Sequence, residues 1–349
     1  MGGQISIWPW RALYSLAGKL CNVVWSKHSI SDRHLAASNW SFSLPLKKKP
    51  TAHSSGFETK LETVAARLET RLERLLSAPG DAAHSALSEA MRYAVLGGGK
   101  RVRPFLLIES AQLFAAPGDG AYDAAAALEC VHCYSLVHDD LPAMDDDALR
   151  RGRPTVHLAY DEATAILVGD GLLTLAFEIL ARPETHERAT VRAELSLGLA
   201  RAAGWRGMVE GQALDLATEG AQLSESEIAR IQALKTGALI EFACEAGAIL
   251  GQAPEKQRKA LQTYGRAVGQ AFQLADDLLD VDGDSGQVGK ATGKDGAAGK
   301  ATHVASLGME RARARLGALE GEAIEALKPF GPEADTLIEA ARFVTRRRH

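Results

Sequence analysis

From Phe57 onward, apolar residues recur at three- and four-residue intervals, and no stretch alternates apolar with polar over a useful length. That spacing admits helices and leaves little room for sheet. Leu61, Val64, Ala65, Leu68, Leu72, Leu75 and Leu76 mark one face of a first helix, with Glu and Arg on the other, and Pro79–Gly80 stop it. Further helices are expected at 83–96, 102–115, 121–141, 160–181, 187–203, 205–217, 225–250, 255–281, 302–328 and 332–345. Gly97-Gly98-Gly99, the Pro117–Gly120 turn, Pro183, Gly220 and Pro254 punctuate them. Ser224 followed by Glu227 reads as a capping box. Several of these helices are apolar nearly all round, which places them inside a large bundle. The expected fold is therefore all-α, one domain over residues 57–349.

Residues 1–56 differ from the rest. They carry seven Lys or Arg against one acid, Asp32, and four of the five Trp. With a formal net charge of −4 for the whole chain, the remaining 293 residues carry −10. The first 56 read as a basic, poorly ordered extension; no cleavage-like pattern or clean amphipathic stripe supports a transit peptide. A chain that is 46% hydrophobic and 24% charged, with a pI near 6.2, is an ordinary globular composition and argues against an electrostatic nucleic-acid binder. Four scattered Cys suit a reducing, cytoplasmic setting. No run of 18 apolar residues suggests a membrane span.

Two aspartate clusters carry the chemistry. One is Asp139-Asp140-Leu-Pro-Ala-Met-Asp145-Asp146-Asp147; the other is Asp276-Asp277-Leu-Leu-Asp280. Each follows an apolar helical run. Asp276 and Asp280 share a helix face, and unpaired carboxylates so close repel one another. A divalent cation relieves that repulsion, and an all-oxygen ligand set suits Mg²⁺ rather than Zn²⁺. Asp139 and Asp145 lie about 240° apart on an ideal helix. Pro142 between them predicts a distortion or helix end that re-aims Asp145.

Cations suited to phosphate accompany the clusters. Gly97-Gly98-Gly99-Lys100-Arg101-Val102-Arg103 joins a glycine turn to a helix start, where backbone N–H groups favour anions. The spacing is not that of a nucleotide P-loop. Arg150-Arg151 follow the first cluster, and Lys235 sits in an apolar helix, where it needs an anionic partner. Cys130 and Cys133 have no second pair and read as core residues. Residues 282–300, with six Gly, three Lys and three Asp, form a long polar loop.

GGGKRVRP, ECVHCYSLVHDDLPAMDDDALRRGRPT, GMVEGQALDL, KTGAL and FQLADDLLDVDGD, in this order, resemble the trans (E-type) polyprenyl diphosphate synthases, with the bacterial farnesyl diphosphate synthase branch most similar. The resemblance covers about 57–345. It implies a helical bundle of isoprenoid synthase type around a deep apolar cavity. It also implies a homodimer and a prenyltransferase that condenses isopentenyl diphosphate with an allylic diphosphate, dimethylallyl or geranyl. By the same resemblance, Asp139, Asp140, Asp145 and Asp276 bind Mg²⁺, three ions per site, with Asp277 and Asp280 acting through metal-bound water. Lys100, Arg103 and His132 form the isopentenyl site, Arg150 faces the allylic diphosphate and Arg151 the isopentenyl one. Lys235, Thr236 and Gln273 line the place where the allyl cation forms, and Lys290 and Lys300 belong to a lid.

Tyr134, with Ser135 beside it, lies five residues before Asp139, about 7.5 Å deeper along the helix. An aromatic there, together with the insertion at Pro142–Ala143, resembles the short-chain members and implies farnesyl diphosphate as product. A geranylgeranyl diphosphate synthase and a catalytically silent regulatory homologue are the alternatives. The chain departs from the family pattern at Glu210, where Gly is common, and at ATHVASLG after Lys300, where a Tyr-Pro pair is expected.

Overall fold

The computed structural model describes residues 56–77, 85–116, 118–282 and 308–346. In chain order the helices are α1 (Gly56–Leu75), α2 (Ala86–Val95), α3 (Val102–Gln112) and α4 (Gly118–Asp139). A hairpin of β1 (Leu149–Arg150) and β2 (Arg153–Pro154) follows, then α5 (Val156–Ala159), α6 (Glu162–Ala181), α7 (Ala189–Ala203), α8 (Met208–Ala217) and α9 (Glu225–Gln232). A π-helical segment, Ala233–Gly237, runs into α10 (Ala238–Leu250). The chain continues through α11 (Glu255–Asp282), α12 (Met309–Leu327), a 3-10 segment (Lys328–Ala334) and α13 (Asp335–Thr345). Residues 302–307 of the expected 302–328 helix lie outside the described residues.

Helix α1 buries Phe57, Leu61, Val64, Leu68 and Leu72, the face its periodicity predicts. Helix α4 is buried almost all round from Gly120 to Val137, and its run of Ala124–Ala127 lets neighbours approach closely. It packs most extensively against α6, and also meets α3, α1, α2 and α10. Arg71 ties α1 to α4 by donating to both carboxylate oxygens of Asp123 at 2.6 Å. The second half of the bundle is α10 against α11, with α3 on one side and α12 on the other.

Several boundaries differ from expectation, and three of the differences have a clear local description. The expected 160–181 helix starts at Glu162, because the Asp161 side chain accepts the Thr164 N–H as an N-cap. The expected 225–250 helix is interrupted by the π segment, while Ser224 and Glu227 close the capping box at its start. The expected 121–141 helix ends at Asp139, and Asp140–Asp145 form a turn. Helix α6 is long and apolar enough to cross a membrane, yet it carries Glu162, Asp170 and Glu178. One face buries Ala165, Val168, Leu172, Ala176 and Ile179 within the bundle, while Ile166 and Leu167 on another are exposed.

Candidate active site

The first wall of the site is built by the end of α4. Beyond Asp139 the chain folds back so that the Asp145 N–H donates to the Asp139 carbonyl at 2.8 Å. The distortion expected at Pro142 is thus a tight turn that returns Asp145 to Asp139, six residues earlier. The hairpin then turns on Arg151 and Gly152, both at positive φ (55° and 73°), the signature of a type I′ turn. Arg150 donates to Asp140, with Nε–Oδ1 at 2.9 Å, and to Asp147 at 3.2 Å. Arg151 donates to the Gly98 carbonyl. Gly99 has φ of 122°, and a Cβ there would lie 2.8 Å from the Arg151 guanidinium carbon. The positive φ is what requires glycine there, since the Arg151 guanidinium could move aside.

The facing wall is the π segment with α8 and α11. A Cβ on Gly211 would sit 2.2 Å from the Lys235 backbone nitrogen, so α8 lies directly on the π segment. Lys235 Nζ donates to Asp215 at 2.6 Å, which supplies the anionic partner a lysine in an apolar helix requires. Thr236 Oγ1 donates to Gln273 Oε1 at 3.1 Å. Gln273 Nε2 donates to one oxygen of Asp277 and Gln232 Nε2 to the other, both at 3.0 Å.

Between the walls lies a polar cavity of about 410 Å³, lined by Arg103, His132, Asp139, Asp145, Arg150, Asp215, Lys235, Thr236, Gln273, Asp276 and Asp277, among others. An apolar cavity of about 350 Å³ adjoins it, lined by Tyr134, Ser135, Met144, Met208, Val209, Leu216 and Leu239. Arg103, His132, Leu136, Asp139, Lys235 and Thr236 line both cavities. The pair suits an amphipathic ligand with an anionic head and an apolar tail.

The electrostatics agree with an anionic guest that brings cations. Burial, reinforced by Asp145 and Asp140 against the opposing pull of Lys235 and Arg150, pushes the Asp139 carboxyl up to about 6. Burial, with Arg103, Arg151, Arg101 and Arg150 nearby, pushes His132 well below the ordinary imidazole value. It therefore stays neutral and meets the Arg103 guanidinium at 3.4 Å. Among the described residues, no three His, Cys, Asp or Glu side chains converge tightly enough to hold a metal alone. The carboxylates stand on two walls instead: Asp139 and Asp145 on one, Asp276 and Asp277 on the other. That all-oxygen arrangement fits Mg²⁺, which keeps water and phosphate oxygens in its shell.

Most of the expected site residues meet in these cavities, but not all. Asp140 and Arg151 line a smaller space of about 40 Å³ behind the hairpin, together with Arg150. Lys100 is exposed, with Nζ 5.6 Å from the Phe343 ring. Asp280 lies one helical turn beyond Asp276 and does not border the polar cavity. Lys290 and Lys300 lie outside the described residues. Arg101, beside Lys100, is buried in an ion pair with Glu129. Cys130 and Cys133 are free, buried core residues whose thiols burial pushes up. Asp215 and Gln232 were not expected. Asp215 lies within the GMVEGQALDL stretch; nothing local to Gln232 marks it.

The polyprenyl synthetase family model matches residues 84–328. The farnesyl diphosphate synthase of Haemophilus influenzae is 44% identical over 290 residues, spanning 81% of this chain and 97% of that protein. Among solved structures, the apo FPP/GFPP synthase from Zymomonas mobilis superposes with a TM-score of 0.75 at 44% identity, covering 83% of this chain and 98% of that one. The geranyltransferase from Helicobacter pylori, complexed with magnesium and isoprenyl diphosphate, has a TM-score of 0.72 at 32% identity, covering 84% and 98%. Ordered motifs, helical architecture and extended similarity agree, and the chain belongs to the polyprenyl synthetase family.

Proposed function

We propose that this chain is a short-chain prenyltransferase. It joins isopentenyl diphosphate head-to-tail to dimethylallyl or geranyl diphosphate, releases diphosphate and stops at farnesyl diphosphate. One observation carries the reading. A cavity lined by carboxylates and cations opens onto an apolar one, with Asp139, Lys235 and Thr236 at the junction. An allylic diphosphate seated there puts its scissile C–O bond between the two.

Mg²⁺, three ions per site, is assigned to Asp139, Asp145 and Asp276, with Asp140, Asp277 and Asp280 around them, and when bound it neutralises the departing diphosphate. Arg150 and Lys235 face the same diphosphate. Arg103 and the neutral His132 hold the isopentenyl diphosphate, and Lys100 and Arg151, which do not line the two cavities, are assigned to it by the family resemblance. The oxygens of Thr236 and Gln273 and the Lys235 backbone carbonyl face the allyl cation. Apolar walls keep water from quenching that cation to an alcohol. The isopentenyl double bond attacks it, and the proton lost goes to the released diphosphate. Lys290 and Lys300, outside the described residues, are assigned to the diphosphates by the family resemblance alone. The chain works in the cytoplasm as a homodimer, for which exposed Ile166 and Leu167 of α6 offer an apolar face. Residues 1–56 are assigned as an N-terminal extension and residues 57–349 as the catalytic domain.

Purified protein, Mg²⁺, isopentenyl diphosphate and either allylic primer should yield a C15 product by chromatography. No product from any pairing overturns the reading. The Zymomonas relative bears the name of a longer product beside farnesyl diphosphate. A C20 or C25 product here would move the assignment to that longer class.

A further inference from the structure

Arg101 stands between Lys100 and Arg103 in the chain, yet its side chain is fully buried and lines neither cavity. It is the N-cap of α3 and lies in the left-handed region, with φ of 50° and ψ of 38°. A residue with a side chain keeps that conformation only where its surroundings impose it. Here the guanidinium itself supplies the restraint. It donates to the Glu129 carboxylate on α4 and, at 2.6 Å, to the Val95 carbonyl at the end of α2. Glu69 on α1 lies 3.5 Å from the same group. One side chain thus fastens the GGGKRVRP turn to three helices.

Glu129 is itself buried and lies three residues before His132, on the same face of α4. His132 meets Arg103 at 3.4 Å, and both line the two cavities. The turn that carries Arg103 and the helix that carries His132 are therefore joined by an ion pair one helical turn from where they meet. Stability alone does not explain the pair. Among the described residues, Arg101 Nε finds no hydrogen-bond partner, and buried ion pairs are often replaced by apolar side chains without loss. What such a pair can supply is a fixed register between elements.

We propose that Arg101 is a positioning residue for the second substrate: paired with Glu129, it sets the spacing of Arg103 and His132, and so the affinity for isopentenyl diphosphate, without touching that substrate. This rests on the prenyl-transfer reading above.

Arg101→Met alone would strand the buried Glu129 charge and endanger the fold, so the test combines it with Glu129→Leu. With Mg²⁺ and geranyl diphosphate, the double variant should raise the KM for isopentenyl diphosphate about tenfold or more, while kcat and the KM for geranyl diphosphate stay within about threefold of wild type. Arg101→Lys keeps a cation beside Glu129 but loses the planar fork, and its KM for isopentenyl diphosphate should rise about threefold. If the double variant does not fold, this conservative variant carries the test alone. The control is Arg71→Met with Asp123→Leu, which removes another ion pair between α1 and α4. It should lower the thermal midpoint and leave the KM for isopentenyl diphosphate unmoved. An unchanged KM in the Arg101 variants, an equal rise in the control, or an equal rise in the KM for geranyl diphosphate overturns the proposal. A wild type that makes no product from any pairing defeats the prenyl-transfer reading itself, and this proposal with it.

Discussion

Asp139 shows how one side chain couples metal, acidity and fold. Its carboxyl is pushed up to about 6 by burial and by neighbouring Asp145, so the metal-free fold prefers it protonated. That contribution to stability is whole below the ordinary carboxylate value and disappears as pH rises through about 6. In EDTA, Asp139→Asn should therefore gain thermal midpoint relative to wild type between pH 4 and 7. With Mg²⁺ and inorganic diphosphate present, the order should reverse above pH 6. A pH-independent difference between the two proteins would show that Asp139 does not titrate as described. Tyr134 decides the far end of the site. It is 7% exposed and lines the apolar cavity five residues before Asp139. Tyr134→Ala should extend the product toward C20 or beyond, and a variant that still stops at C15 would place the floor elsewhere.

Among the elements, the π segment Ala233–Gly237 has the most direct consequence. Interrupting the α-ladder there re-aims Lys235 and Thr236 toward the two cavities, as such bulges often do at functional sites. Gly211 of α8 makes the fit possible, since a Cβ would lie 2.2 Å from the Lys235 nitrogen. Gly211→Ala should destabilise the protein by about 1–3 kcal/mol in denaturant titration, the usual range for overpacking. Because the shift falls on the π segment, kcat should fall too. An unchanged unfolding midpoint would mean that α8 can slide. Sequence patterning reached this element only in part. It showed that 225–250 is helical and that Lys235 needs an acid, but a one-residue bulge leaves no mark in apolar spacing. Asp215, twenty residues earlier, becomes its partner only because α8 packs back onto the segment.

At the scale of the whole molecule, the acidic, Ala- and Leu-rich body holds every motif, and the basic, Trp-bearing first segment holds none. Deleting residues 1–50 should leave kcat and product length unchanged within about twofold; a tenfold loss would give that segment a part in catalysis.

By itself the sequence determined the helices, their approximate ends and the two carboxylate clusters. Each of these follows from neighbours three or four positions apart, or from a proline or glycine in the chain. It also marked the cations of the GGGKRVRP turn and the arginine pair as phosphate partners. Which of those charges face the cavity was a tertiary decision. Asp140 and Asp277 look like their neighbours Asp139 and Asp276 in the sequence. Packing joins Asp140 to Arg150, ten residues on, and Asp277 to Gln232, 45 residues back. A buried carboxylate takes the donors that the fold brings to it, and contacts between distant elements are absent from any local pattern.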